Sequence, residues 1–262
     1  MKRIIIILLL LLPGCLLQEN VPEITVTVED PPEELIVSDT VDLTISITNE
    51  GDAPARNVIL ESNVTPLLTF EQEEIPEIKE RSVKRVKATL EAVDILKEER
   101  EFDIIDVVIK VKYLDPEGSQ KTDKTSFKFT LRKPKVTIDK VDAGLLPGKI
   151  STTEHEKVPI TVYVTNEENR KMENLYIVFC SEYGHVTVHR LDIEEVGNCF
   201  EYTITDVLWF NDLIAKGFTM EAELPSGARE VSFVLQIKLI WRNEDYEIVL
   251  DVQELRVEVK AA

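Results

Sequence analysis

The side chains able to do covalent or coordination chemistry are few, and their spacing narrows what that chemistry could be. Cys180 and Cys199 enclose 18 residues. In an oxidising compartment a bond between them would stabilise by ~3 kcal/mol through loop closure; reduced, they would be two small buried hydrophobes. Asn63-Val64-Thr65 fits an N-glycosylation acceptor, with Pro66 directly after it. His185 and His189 share one face of a strand, but four residues at a rise of ~3.3 Å set them ~13 Å apart, too far for one metal ion. His155, within Thr152-Thr153-Glu154-His155-Glu156-Lys157, reads as a loop residue. The chain contains no nucleophile elbow, HExxH, phosphate-cradling glycine loop or CxxC pair. No catalytic residue, metal or cofactor is therefore expected, and the chain is read as a non-enzyme.

Aromatic residues offer a different chemistry, that of recognition. Phe200, Tyr202, Trp209, Phe210 and Phe218 crowd the stretch from Cys199 to Phe218. One reading is an additional edge strand whose rings complete a core. The other places Tyr202, Trp209 and Phe210 on a partner-binding face, because exposed aromatics are favoured interface anchors and strand alternation fails across Val207-Leu208-Trp209-Phe210.

The elements that must position these residues are strands. Val41, Leu43, Ile45 and Ile47 alternate with polar residues, and Val158, Ile160, Val162 and Val164 repeat the device. Both runs enter the same turn: Thr48-Asn49-Glu50 and Thr165-Asn166-Glu167 stand 117 residues apart, as do Asn57 and Asn174 ahead of the next strand. Such register through strand, turn and strand marks a duplication. In the first copy, strands are expected near 24–30, 35–37, 40–49, 56–62, 67–73, 82–92, 102–114 and 124–132, with a brief helical pattern only from Asp94 to Arg100. About seven short alternating strands in ~100 residues is the pattern of an immunoglobulin-like sandwich.

Composition sets the outer bounds. At 262 residues the chain suits two domains, since ~100 to 150 residues is a common domain size. With 44% hydrophobic residues it can bury two cores. Its 30 basic against 49 acidic residues give a net charge of -19, the wrong sign for tracking phosphates, so nucleic acid is not an expected partner. The 33 Glu and 19 Lys against 5 Gln lie close to heat-adapted composition.

The chain opens Met1-Lys2-Arg3 and runs apolar from Ile4 to Leu12, the order of a secretory signal. Leu12-Pro13-Gly14-Cys15 resembles the lipobox of bacterial and archaeal lipoproteins, which implies a lipid on Cys15 and attachment to the outer face of the cell membrane. Counted to Leu17, the apolar stretch is ~21 Å of helix, short of the ~30 Å hydrocarbon core.

After the first alternating strand, Thr48-Asn49-Glu50-Gly51-Asp52-Ala53-Pro54-Ala55-Arg56-Asn57-Val58 resembles the Val-x-Asn-x-Gly-x-x-x-Ala-x-Asn-Val stretch of CARDB-like domains, immunoglobulin-like modules of bacterial and archaeal surface proteins. The second copy keeps Asn166 and Asn174 but has Glu168 where Gly51 stands. The resemblance implies a surface adhesive or spacer module without catalysis.

The expected organisation is thus all-β: residues 1–20 a lipoprotein-type signal and tether, 21–133 a CARDB-like immunoglobulin-like sandwich, and 134–262 a second, diverged one in tandem with an aromatic-rich extra segment. The expected function is a non-enzymatic, membrane-anchored binding, adhesion or spacer module whose partner is a surface protein or glycan. The alternative is a solute-binding or enzyme-accessory lipoprotein that recognises a glycan or a neighbouring membrane complex.

Overall fold

The computed structural model describes residues 20–93, 100–144, 148–196, 198–243 and 247–262. Cys15 lies outside them, as does the expected helical stretch except for Arg100. Two compact units divide the chain: Met1–Pro32 (described from Asn20), Thr40–Glu91 and Asp106–Lys128 form the first, and Glu33–Asp39, Ala92–Ile105 and Phe129–Ala262 the second.

All regular structure among the described residues is strand, arranged in two immunoglobulin-like β-sandwiches. The first uses β1 (Ile24–Glu29), β2 (Glu34–Ile36), β3 (Thr40–Asn49), β4 (Ala55–Ser62), β5 (Leu68–Phe70), β6 (Glu74–Ile78), β7 (Ser82–Glu91), β8 (Phe102–Leu114) and β9 (Gln120–Arg132). Its sheets run β1-β3-β7-β5 and β2-β9-β8-β4-β6. The second uses β10 (Val136–Asp142), β11 (Lys149–Thr153), β12 (Val158–Asn166), β13 (Leu175–Ser181), β14 (Val186–His189), β15 (Ile193–Val196), β16 (Cys199–Ile204), β17 (Leu213–Ala222), β18 (Glu230–Arg242) and β19 (Glu247–Lys260). Its sheets run β10-β12-β17-β14 and β11-β19-β18-β13-β16-β15.

Period-two alternation places the cores. Leu43, Ile45 and Ile47 of β3 are buried, as are Ile160, Val162 and Val164 of β12. In each sandwich one short strand runs parallel to the last, β2 beside β9 and β11 beside β19, while the other assigned pairs are antiparallel.

The strand expected at 67–73 is two strands. β5 pairs with β7 and β6 with β4, so the chain changes sheets between Phe70 and Glu74. The acidic sequence Glu74-Ile75-Pro76-Glu77-Ile78 hid β6, yet an edge strand tolerates proline because one side of it makes no ladder.

The repeat extends into backbone conformation. Asn57 and Asn174 both have positive φ, 48° and 57°, the left-handed region that asparagine tolerates better than most residues. Ser38 and His155, also 117 apart, repeat this at 80° and 61°. At each of those turns a carboxylate accepts the backbone N–H three residues earlier: Asp39 from Ile36 at 2.9 Å, Glu156 from Thr153 at 3.0 Å. That N–H and the Thr153 and Thr152 hydroxyls hold the Glu156 carboxyl below its usual range. Further on, Arg81 and Asn211, again both positive in φ, stand 130 apart, which locates the inserted residues of the second copy between β13 and β17. The inserted edge strand is β15, ahead of Cys199 and not after it.

Candidate functional site

Trp209 and Phe210 are 61% and 50% exposed on the connection between β16 and β17. That loop is pinned from beneath by Asn166. The Asn166 side-chain amide donates to the Leu208 carbonyl at 2.9 Å and to the Arg170 carbonyl at 2.9 Å. Its backbone N–H donates to the Asp212 carbonyl at 3.0 Å, and its own carbonyl accepts from Asn211 at 2.7 Å. Leu208 is fully buried and bridges Met172, whereas Val207 and Leu213 are exposed. Alternation fails across this run because one leucine plugs the end of the sandwich and its neighbours are turned into water. The Asp212 carboxylate closes the loop by accepting the Trp209 N–H at 2.7 Å.

Tyr202 does not belong to this surface, which corrects its assignment to a partner-binding face. It is 2% exposed, and its ring meets Phe218 edge-on at 5.4 Å, while Phe218 meets Phe179 at 4.7 Å. β16 pairs with β13 in a register that sends its even-numbered residues inward. The Arg190 guanidinium lies 4.2 Å from the Tyr202 ring centroid and donates to its hydroxyl at 3.1 Å, so the ring's polar end is satisfied within the protein. The rings of this segment thus divide: Tyr202 and Phe218 finish the core, Trp209 and Phe210 face solvent.

Cys180 and Cys199 are direct cross-strand partners on β13 and β16, 4.3 Å apart at Cα, and are disulfide-bonded. The bridge lies in the floor of a groove of about 730 Å³ on the outer face of the six-stranded sheet. Tyr183 and Phe233 form a stacked pair in its wall, with ring centroids 4.7 Å apart and planes at 18°. The Tyr183 hydroxyl donates to the Glu223 carbonyl at 2.6 Å; burial, then the Glu154 and Glu223 carboxylates, raise its pKa. Lys238, Gln236, Glu182 and Glu254 supply the polar lining, and the Gln236 amide donates to Glu254 at 3.1 Å. Lys238 makes no ion pair with another described residue. Sequence reasoning missed this groove; its only signal was Tyr183 beside Gly184 just past the end of an aromatic-rich strand.

Asn63 is exposed, but its side-chain amide donates to the Asp106 carbonyl at 2.9 Å and its side-chain oxygen accepts the Val108 N–H at 2.6 Å, so it also tethers β8. His155 and His189 approach the two oxygens of Glu221, each at 3.5 Å, whereas His185 lies beside Tyr183. No group of three or more His, Cys, Asp or Glu that could hold a metal ion occurs among the described residues. Nor is any helix among them long and apolar enough to cross a membrane.

No family model matches the chain, and no curated protein does. Among solved structures it is similar to a cohesin–dockerin complex chain from Clostridium thermocellum, at 11% identity and TM-score 0.31, over 48% of this chain and 94% of that one. It is similar to a red sea bream transglutaminase at 12% identity and TM-score 0.35, over 90% of this chain but only 31% of the enzyme. The titin domains z1z2, solved in complex with telethonin, align at 11% identity and TM-score 0.29, over 92% of this chain and 96% of that one. At these scores the matches carry no argument about function, and the fold rests on the strand order itself.

Proposed function

We propose that the protein is a non-enzymatic binding module of the cell surface, CARDB-like in its turn motif and held to the outer face of the membrane through lipid on Cys15. The observation that carries this reading is the pair Trp209 and Phe210, kept in water on a loop whose backbone Asn166 pins on both sides. Binding residues are commonly presented on loops held by a rigid scaffold, and an aromatic anchor that is already ordered loses little entropy on docking. With a net charge of -19, the protein would meet a membrane surface through its anchor and not through charge.

The test is binding of the purified chain to envelope fractions. Trp209→Ala with Phe210→Ala is expected to weaken it by about 2 kcal/mol or more, roughly 30-fold. Unchanged binding overturns the role of the loop. Cys15→Ser is expected to release the protein from the membrane fraction; retention there would overturn the anchor.

A second reading, a lipoprotein that recognises a glycan, is favoured by one observation: the groove with a stacked aromatic wall beside polar side chains of both signs.

A further inference from the structure

We infer that the groove over the Cys180–Cys199 bridge is a saccharide site that selects a neutral sugar bearing an acetamido group. This rests on the glycan reading and goes beyond it by naming the sugar chemistry.

The strands beneath the groove are closed to a peptide. β13 and β18 each have two neighbours in the sheet, and β16 is paired on both sides by β13 and β15. An extended peptide binds by adding to an open edge, and among the described residues no free row of backbone donors and acceptors on β13, β16 or β18 faces this groove. What faces it are side chains that suit a molecule with an apolar face and a hydroxylated rim. Tyr183 and Phe233 offer apolar ring surface in its wall, and Lys238, Gln236, Glu182 and Glu254 offer donors and acceptors around it. Two carboxylates beside one ammonium, on a chain of net charge -19, disfavour an anionic sugar.

The acetamido preference comes from a second cavity that shares a wall with the groove. It measures about 60 Å³, and Ser181, Tyr183 and Asn198 line both spaces. Phe179, Val186 and Leu235, all buried core residues, supply apolar lining together with Phe200, and Ser181, Glu195 and Asn198 supply polar lining. Its volume is several times the ~10–15 Å³ that one water requires, room for a group of acetyl size. Asn198 is exposed at the shared wall, and its side-chain amide has no partner among the described residues. A methyl directed inward and an amide held at the mouth would use both features.

The experiment titrates the intact chain with two neutral β-1,4 tetramers, one of N-acetylglucosamine and one of glucose, which differ only in the acetamido groups. The N-acetylated tetramer is expected to bind at least tenfold tighter. Gly184 lines the side cavity, and open space lies where its Cβ would stand. Gly184→Leu should therefore keep the fold, fill the cavity and bring the two affinities within about twofold. Asn198→Ala should weaken the N-acetylated tetramer about tenfold and leave the glucose tetramer unchanged. Equal affinity of the wild type for both tetramers overturns the acetamido inference while the glycan reading stands. Failure of both tetramers to bind overturns both, and discrimination that survives both variants places the site elsewhere and overturns the inference.

Discussion

Asn49 and Asn166, 117 residues apart, hold the same turn in the two sandwiches, each with its side chain fully buried and fully bonded. The Asn49 amide donates to the carbonyls of Ala53, Ile78 and Lys79, and its oxygen accepts the N–H groups of Glu23 and Gly51. Asn166 donates to Arg170 and Leu208 and accepts from Glu168. Only a carboxamide can donate twice and accept at one buried position, so the residue that repeats in the sequence is the one the turn chemistry requires.

Asn49→Ala or Asn166→Ala should each leave several backbone groups buried without partners. A loss on the order of 3 kcal/mol is expected, read as a fall in the denaturant midpoint. Asn→Asp should cost as much, since a carboxylate cannot donate; a loss below ~0.5 kcal/mol would refute the shared role.

At the next repeat position but one, Gly51 and Glu168 solve one problem in two ways. A Cβ on Gly51 would stand 2.2 Å from the Val21 carbonyl oxygen and 2.5 Å from the Glu23 nitrogen, so Gly51→Ala must displace the chain entering β1. A destabilisation of about 1–3 kcal/mol is expected, with faster amide exchange in β1 than elsewhere.

In the second unit Glu168 instead uses its side chain. Its carboxylate accepts from Arg132 at 2.6 and 3.2 Å and from the Lys135 N–H at 3.1 Å. Burial pushes this carboxyl upward, but those donors more than reverse it and leave the pKa below the ordinary range, while Arg132 is raised. A depressed carboxyl contributes stability that is complete above the unfolded value and lost as pH falls through the folded one. Glu168→Gln is therefore expected to cost about 3 kcal/mol at pH 7, because Glu34 is then the one carboxylate that Arg132 keeps among the described residues, beside the Lys133 carbonyl. The variant's acid limb should also be flatter in denaturant titrations between neutral and acidic pH.

The disulfide encloses a loop of 19 residues in sequence separation, so Cys180→Ser with Cys199→Ser should destabilise by ~3 kcal/mol. Intact mass of the native chain should rise by about two units on reduction. No rise would mean free thiols.

The two tryptophans sit in opposite surroundings, Trp209 at 61% and Trp241 at 9% exposure. Trp241→Phe should leave emission that acrylamide quenches readily, and Trp209→Phe should leave blue-shifted, shielded emission. A shielded Trp209 would remove the main support for the binding loop.

Local periodicity was enough to read much of this protein. Alternation at Leu43, Ile45 and Ile47 gives a strand with one buried face whatever it pairs with, and the 117-residue repeat of Asn49 and Asn57 in Asn166 and Asn174 reveals duplication without coordinates. The broken alternation at Leu208 and Trp209 marked an exposed aromatic for the same reason. What depends on partners could be decided only by the tertiary structure. Tyr202 is buried because β16 meets β13 in one of two possible parities, and a shift of one residue would have turned it outward. β6 was illegible because its edge position, not its composition, makes it a strand. The groove joins Ser181, Phe233 and Glu254, which no local pattern connects, since distant segments become neighbours only through the order in which strands pair.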